Sequence, residues 1–169
     1  MITITQEPYD GPVADGLVQD LLVELNERYA DDVLTGQADA PDDDDYLAEV
    51  TPDLVTPPKG TFLVAWIDGD AVGCGAVKPL DTDQAVGEIK RMYTAPRARR
   101  RGISRVLLVA LEARAAELGY TFLQLETGLA QPEAVALYES HGWHRITPYG
   151  HYKDSPQSVC FAKAIAPPA

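Results

Sequence analysis

The first sixty residues combine one strand pattern, one helix pattern and a stretch with neither. Ile2–Thr5 alternates apolar and polar positions, which is typical of a half-buried strand. Pro12–Tyr29 carries leucines at three- to four-residue spacing, so it predicts an amphipathic helix with its apolar face on a sheet. From residue 31 to 59 acids, prolines and glycine replace both patterns, and we expect a surface loop with one short helix within residues 40–50.

The rest of the chain alternates strand and helix patterns. Asp68-Gly69 between two apolar runs is a strong hairpin signal. Strands are predicted at 61–67, 71–77, 85–94, 121–126, 143–146 and 158–164, and helices at 102–118 and 132–142. A strand, a helix and a strand over residues 85–126 imply a right-handed crossover and a parallel pair. We therefore expect a single domain over residues 1–169 with an α+β sandwich fold and a mixed, largely antiparallel sheet.

Composition limits the location and the chemistry of the protein. A chain of 169 residues has the usual length of one domain. It contains no run of about 18 apolar residues and no signal-peptide pattern, so we expect a cytoplasmic protein that does not bind a membrane. Cys74 and Cys160 are too few for a disulfide framework, and no ligand cluster accompanies them, so we expect two small core residues and no metal.

The net charge of −12 is unevenly distributed along the chain. Residues 1–89 carry 20 acidic and 3 basic side chains, whereas residues 90–169 carry 6 and 11, which gives −17 and +5. Half of the 14 bases lie within 16 residues: Lys90, Arg91, Arg97, Arg99, Arg100, Arg101 and Arg105. Because proteins that bind duplexes spread their bases over a wider face, the cluster favours a compact phosphorylated ligand over nucleic acid. A solvated arginine-rich loop is the alternative.

The basic cluster precedes the start of the predicted helix 102–118. The first amides of a helix have no acceptor within the helix, and the helix dipole favours negative charge there. Gly102 keeps this approach free of a side chain, and the amides around Ile103 and Ser104 are candidate phosphate ligands. The sequence therefore predicts an anion site at residues 99–104.

Two motifs in this half of the chain resemble those of one enzyme superfamily. Arg99-x-x-Gly102-x-Ser104 resembles motif A of the GNAT superfamily of acyl-CoA N-acyltransferases, usually written Gln/Arg-x-x-Gly-x-Gly/Ala. Arg100 stands where many members have another glycine. The stretch from Gln131 to Trp143 resembles motif B, often written Asn-x-x-Ala-x-x-Leu-Tyr-x-x-x-Gly-Phe, with glutamine and tryptophan as replacements. The resemblance extends from about residue 73 to 163.

The resemblance implies a fold, an activity and a cofactor. The fold would be the acyl-CoA N-acyltransferase fold, with a six- to seven-stranded, mostly antiparallel sheet and about four helices. The activity would be direct transfer of an acetyl group from acetyl-CoA to a primary amine of a small molecule, in a ternary complex and without a covalent enzyme intermediate. Cofactor-binding residues carried over from the motifs are Met92, Tyr93, Thr94, Arg99, Arg100, Arg101, Gly102, Ile103, Ser104, Gln131 and Ala134.

Other positions acquire roles through the same resemblance. Tyr138 matches the tyrosine that protonates the departing thiolate in many members, and Glu88, on the strand beside the cofactor, is the candidate base. Each has an alternative as a structural or solvent-facing side chain. The region after the first helix commonly forms part of the acceptor pocket, and its acids suggest a cationic acceptor. Expected substrate-binding residues are Glu126, Thr127, Tyr149 and Tyr152, with Glu126 as a second possible base.

Three other functions compete with this hypothesis. A non-catalytic CoA-binding or regulatory module would keep the fold and lose turnover. A protein acetyltransferase would act on a lysine or an N-terminus instead of a small molecule. A nucleic-acid binder would use the arginine cluster alone. The sequence leaves open whether the protein forms a homodimer.

Overall fold

In the computed structural model, which describes residues 1–38 and 42–167, the chain forms one seven-stranded sheet with four α-helices. The elements in chain order are β1 (Ile2–Gln6), α1 (Pro12–Leu34), α2 (Asp43–Ala48), β2 (Thr61–Ile67), β3 (Asp70–Pro79), β4 (Gly87–Thr94), a 3₁₀ turn (Pro96–Ala98), α3 (Ile103–Glu117), β5 (Phe122–Gly128), α4 (Pro132–Ser140), β6 (His144–Ile146) and β7 (Ser158–Ala164). None of the helices in the described ranges is long and apolar enough to cross a membrane.

The strands are ordered β1-β2-β3-β4-β5-β7-β6, and β4 and β5 are the parallel pair. The prediction of a mostly antiparallel, six- to seven-stranded sheet with about four helices is thus confirmed. Parallel pairing covers three positions, from Gly87 opposite Leu123 to Ile89 opposite Leu125. Since β4 continues to Thr94 beyond that point and β5 to Gly128, the two strands diverge in the middle of the sheet.

Helices cover both faces of the sheet, as the alternation along β2 shows. Leu63 packs in a core with the buried residues of α3 and with Tyr138 of α4. Phe62 and Val64 point to the opposite face and pack with Leu17 and Leu21 of α1. Cys74 and Cys160 are both buried and free, as predicted for small core residues.

Most element boundaries follow local sequence signals. The Asp-Gly hairpin is confirmed, with left-handed φ values of 51° at Asp68 and 89° at Gly69. Helix α1 runs five residues past its predicted end at Tyr29. The predicted short helix is α2, capped by the Asp42 carboxylate, which accepts hydrogen bonds from the amides of Asp44 and Asp45. Residues 40 and 41 of that prediction lie outside the described ranges.

A bulge in β4 changes which side chains share a face of the sheet. Cys74 pairs with Tyr93, whereas Ala76 pairs with Lys90, so two β4 residues oppose one residue of β3. Arg91 within the bulge has a left-handed φ of 60°. Because the bulge breaks the strand alternation, Lys90 and Arg91 both contact the segment around α2, through Glu49 and the Tyr46 carbonyl.

Gly73 of β3 leaves space for a neighbouring backbone and for α3. A Cβ at this position would lie 2.7 Å from the Tyr93 carbonyl oxygen and 3.2 Å from side-chain carbons of Ile103 and Leu107. Gly16, on the exposed side of α1, has nothing within 4 Å of such a Cβ. Substitution by alanine can therefore be compared at a crowded glycine, Gly73, and at an uncrowded one, Gly16.

We predict that Gly73→Ala destabilises the fold and that Gly16→Ala does not. The clash at Gly73 should lower the free energy of unfolding by about 1–3 kcal/mol, as in other overpacked cores. Gly16→Ala should raise it by about 0.5–1 kcal/mol, because alanine favours the helix. Urea titrations of both variants measure these changes, and equal stabilities would contradict the packing described for Gly73.

Candidate active site

A cleft of about 550 Å³ lies where β4 and β5 diverge. Residues from the ends of both strands line it, from Ile89 to Thr94 and from Leu125 to Gly128. Helix α1 forms one wall, and the first turns of α3 and α4 form another. Near the end of β5 it is lined by Tyr152, Ser155, Gln157 and Ser158. The cleft therefore connects the two faces of the sheet.

The first turn of α3 presents free amides to one end of this cleft. Gly102 is the N-cap with a left-handed φ of 80°, and no side chain caps the helix. A Cβ at Gly102 would meet nothing within 4 Å, so the approach to the amides is open. Arg100 is also left-handed, with a φ of 62°, at a position where the resembled motif often has glycine. Arg100, Gly102, Ile103, Ser104 and Arg105 all line the cleft.

Some bases of the basic cluster form hydrogen bonds or ion pairs within the protein, whereas others lie at the start of α3 without such partners among the described residues. Arg97 donates to the Ala71 carbonyl, and Lys90 pairs with Glu49. Arg99 donates to the Thr94 carbonyl at 3.1 Å and forms an ion pair with Glu24. Arg99 lines the cleft as predicted, but its charge is already paired within the protein. Arg101 is exposed and is not among the residues that line the cleft.

An ion-pair network fixes α1 against both other walls. Glu24 of α1 accepts from Arg28 Nε at 2.8 Å and pairs with Arg99. Arg28 also pairs with Glu133 at the start of α4 and donates to the Ala130 carbonyl at 3.0 Å. The network therefore holds the opening of the cleft at a set width.

Tyr29 is a site residue that the sequence analysis missed. Its hydroxyl accepts a hydrogen bond from Gln131 Nε2 at 3.2 Å and lies where a side chain at Gly128 would otherwise be. Gln131, a predicted cofactor residue, lines the cleft together with Ala134, Met92 and the Tyr29 ring. Tyr29 is the last residue of the predicted helix, and helical periodicity alone gave no sign of its contact with Gln131.

Tyr138 of α4 lies in the cleft wall with its ring in the core. The ring centroid is 5.8 Å from that of Trp143 and 5.7 Å from that of Phe161. Burial raises the pKa of the Tyr138 hydroxyl well above its ordinary value. The phenol is therefore protonated at neutral pH and holds a proton that it can donate, although the raised pKa makes it a weaker acid than an ordinary tyrosine.

Glu126 of β5 is a half-buried carboxylate that lines the cleft. It accepts from Ser158 Oγ at 3.2 Å, and Cys160 Sγ lies at 3.8 Å. Burial raises the pKa of Glu126, and the charge of Lys90 and the Ser158 hydrogen bond oppose that rise. A carboxylate with a raised pKa is a better proton acceptor near neutral pH than an ordinary one.

Glu88, the predicted base, is only 5% exposed and is not among the residues that line the cleft. Its Oε1 lies 3.7 Å from Lys78 Nζ and 3.6 Å from Lys90 Nζ. The Tyr149 hydroxyl is buried without a hydrogen-bond partner in the described residues, and burial together with the nearby Glu88 charge raises its pKa. Tyr149 is also absent from the cleft lining. Direct contact of Glu88 or Tyr149 with a ligand therefore has no support from their positions.

Thr127 and Tyr152 line the cleft, in agreement with their predicted location. Asn26, Tyr46 and Glu49 line it as well and were not predicted individually. Two of them belong to the acidic segment around α2, whose composition gave no readable period.

Among the residues that the structure describes, no cluster of three or more His, Cys, Asp or Glu side chains could hold a metal ion.

Comparison with known proteins gives consistent results over the chain. Residues 20–143 match the Acetyltransferase (GNAT) family. An "IAA acetyltransferase" of Azospirillum brasilense is 37% identical over 97% of this chain and 98% of its own length. A GNAT-family acetyltransferase structure from Staphylococcus aureus MU50 has a TM-score of 0.73 at 16% identity, covering 98% of this chain and all of its own. A GNAT-family acetyltransferase from Elizabethkingia anophelis, solved with acetyl-CoA bound, has a TM-score of 0.64 at 20% identity, covering 97% and 98%.

We predict that Glu126→Gln removes a pH-dependent loss of stability. Because the folded-state pKa of Glu126 is raised, protonated Glu126 stabilises the fold at low pH, and this contribution is lost as the pH rises through that pKa. The free energy of unfolding of the wild type, relative to that of Glu126→Gln, should therefore fall as the pH rises from the ordinary carboxyl pKa to the raised pKa of Glu126. Urea unfolding at a series of pH values measures the difference.

Glu27→Gln is the matched control, since Glu27 is an exposed carboxylate on α1. Its substitution should not reproduce the pH-dependent difference. A stability difference between the wild type and Glu126→Gln that is constant with pH would contradict the environment described for Glu126.

Proposed function

Because the chain belongs to the acetyltransferase (GNAT) family, we propose that it transfers the acetyl group of acetyl-CoA to a primary amine of a small molecule. One observation carries this proposal. The cleft between β4 and β5 connects the free amides of α3 with Tyr138 and, toward the other face of the sheet, with Glu126. An anion site, a proton donor and a proton acceptor thus line one continuous space.

The residues at the α3 end fit the charged part of acetyl-CoA. The open amides around Gly102, with Arg100 and Arg105 beside them, are suited to a pyrophosphate. The edge of β4 that faces β5 has no strand partner from Lys90 to Thr94 in the described part of the chain. Amide groups of the pantetheine arm would pair with this edge as an added strand does. Met92 and Ala134 line the cleft beside it.

Acetyl-CoA supplies an acetyl group activated as a thioester. A backbone amide on the free edge of β4 would stabilise negative charge on the carbonyl oxygen during the attack. Glu126 would accept the proton of the attacking amine, directly or through water, and Tyr138 Oη would deliver its proton to the departing sulfur. The raised pKa of Glu126 suits its role as proton acceptor, and Tyr138 is protonated at neutral pH and so holds the proton that its role requires.

A base is needed most when the acceptor amine is strongly basic. An alkylamine with a lysine-like pKa is uncharged to only about one part in 10³–10⁴ at pH 7, which corresponds to roughly 4–5 kcal/mol. An α-amine costs only about 1 kcal/mol. Glu126 takes precedence over Glu88 here because Glu126 lines the cleft and Glu88 does not.

The shape of the acceptor end supports a small molecule. Tyr46 and Glu49 from the α2 segment, Tyr152, and Ser158 of β7 all line this end of the cleft. The total volume of about 550 Å³ lies within the range of about 300–1,000 Å³ that is usual for small-ligand sites.

We predict that the protein releases free CoA when acetyl-CoA is mixed with a suitable primary amine. A panel of amines with a thiol reagent as the readout tests this, and mass spectrometry of the product identifies the acetylated nitrogen. Binding of acetyl-CoA without transfer to any member of a broad panel would contradict the proposal and would favour a non-catalytic module.

We further predict that Tyr138→Phe lowers kcat by about 10²–10⁴-fold, the usual contribution of a positioned acid or base. Acetyl-CoA binding should persist, because the aromatic ring keeps its contacts with Trp143 and Phe161. Tyr120→Phe is the matched control, since the Tyr120 hydroxyl donates to the Lys59 carbonyl away from the cleft. Equal kcat values for the two variants would remove the proposed role of Tyr138.

A further inference from the structure

Arg91 is a buried cation that has no anion beside it in the described part of the chain. Only 3% of the residue is exposed, and no described carboxylate lies within ion-pair distance. Its Nε donates to Tyr9 Oη at 3.2 Å and its Nη2 to the Tyr46 carbonyl at 2.6 Å. The guanidinium carbon lies 3.9 Å from the centroid of the Tyr46 ring. Nη1 is buried and has no hydrogen-bond partner among the described residues.

This arrangement is unfavourable for the protein alone. Burying a charge without a counter-ion costs free energy, and a buried donor without an acceptor adds to that cost. The φ of 60° at Arg91 is a conformation in which a bulky side chain is uncommon. When several unfavourable features coincide at one residue beside a cleft, a functional constraint is the usual reason. A bound anion would relieve the first two costs.

The position of Arg91 indicates which ligand would bring that anion. Arg91 lines the cleft and contacts Tyr9 and Tyr46 on the face of the sheet that α1 covers. Met92, the next residue, packs on the opposite face in the core formed with α3. The free amides of α3 therefore serve the phosphates on one face, and Arg91 lies on the other, where the acceptor would enter.

A second buried polar atom on the same wall supports a ligand there. Asn26 lines the cleft, and its Oδ1 is buried without a partner among the residues described. Its Nδ2 donates to Asp43 Oδ1 of α2 at 3.2 Å, so the side chain is held in place by α2, as the Arg91 guanidinium is. One orphan donor and one orphan acceptor thus adjoin α2 in the cleft wall.

We propose that Arg91 binds a carboxylate of the acceptor, so that the acceptor is an amine that also carries a carboxylate, such as an amino acid. This inference rests on the proposed acetyl transfer to a small amine and names its substrate class. A carboxylate matches the fork of a guanidinium and forms charge-assisted hydrogen bonds with it. Glu49 and Glu126, which line the same end, would repel a doubly charged phosphate more strongly than a single carboxylate.

This class differs from the cationic acceptor that the sequence suggested. The acids of the N-terminal half motivated that expectation, but Glu49 is paired with Lys90 and Glu24 with Arg99 and Arg28. Among the described residues, the buried charged side chain that has no carboxylate partner at the acceptor end is Arg91.

The experiment compares acceptors that differ only in the carboxylate. Amino acids and their α-amides are tested as acceptors, with rates expressed per concentration of uncharged amine, because the amine pKa differs between the two. We expect kcat/KM to be about 10- to 100-fold higher for the acid, as for the loss of one charge-assisted hydrogen bond. Equal values for the acid and amide would overturn the inference.

Arg91 variants then assign the preference to this residue. Arg91→Gln should reduce the ratio of acid to amide to about 1 through KM for the acceptor, and Arg91→Lys should give an intermediate ratio. KM for acetyl-CoA should not change in either variant. Arg97→Gln is the matched control, because Arg97 is exposed and donates to the Ala71 carbonyl. A preference that survives in both Arg91 variants would overturn the assignment, and Arg91→Lys decides if Arg91→Gln does not fold.

A binding measurement separates this inference from the proposed function. Calorimetric titration of the protein with an amino acid and with its amide, in the presence of CoA, detects the carboxylate preference without turnover. Preferential binding of the acid without acetylation would contradict the proposed function and retain the carboxylate site. Acetylation of amines without any preference for the acid would support the proposed function and contradict the carboxylate site.

Discussion

The short parallel pairing between β4 and β5 is the constraint on which the rest of the structure depends. The crossover through α3 places the two strands side by side, but their hydrogen bonds end after Ile89 and Leu125. Beyond that point the strand edges carry unpaired backbone groups, which are costly unless a ligand or water pairs with them. The unpaired backbone groups at this cleft in the middle of the sheet can therefore form hydrogen bonds with an extended ligand that carries amides. Gly128 and Tyr29 at its rim, and the Glu24 network across its mouth, keep the gap from closing.

The bulge in β4 gives the two faces of that gap different chemistry. Without the extra residue, Lys90 and Arg91 would alternate, and one of them would point toward α3. With it, both reach the α2 segment, while Met92 packs toward α3 and Thr94 is hydrogen-bonded to Ser104. One strand thus supplies an apolar and hydroxyl-lined face to the side of the α3 amides and a charged face to the other. The left-handed backbone at Arg91 accompanies this division.

The sequence predicted the fold well and the cofactor end of the site in part, for physical reasons that differ from residue to residue. Strands, helices and the parallel pair follow from local periodicity and from the glycine and proline signals at Gly69, Gly102 and Pro132. Arg99 shows the limit of motif reasoning, because a motif gives the position of a charge but not the partner, Glu24, that lies 75 residues away. Glu88 shows a second limit, since it lies opposite Gln124, where β4 and β5 are still paired, and the strands diverge only beyond that point. The α2 segment, acidic and aperiodic, gave no hint that Tyr46 would stack on Arg91.

The uneven charge of the chain has a different meaning in the folded protein than along the sequence. Acids of the N-terminal half and bases of the C-terminal half meet across the cleft, as in the pairs of Glu24 with Arg99 and of Glu49 with Lys90. These pairs are partly buried, so their main effect is to position the walls rather than to add much stability. Among the cleft-lining bases that the structure describes, those without a carboxylate partner lie in two places: Arg100 and Arg105 at the start of α3, and the buried guanidinium of Arg91. Two separate groups of unpaired basic side chains on opposite faces of one sheet would suit an enzyme that holds an anionic cofactor and a carboxylate-bearing acceptor at once, because the distance between them limits the repulsion between the two ligands.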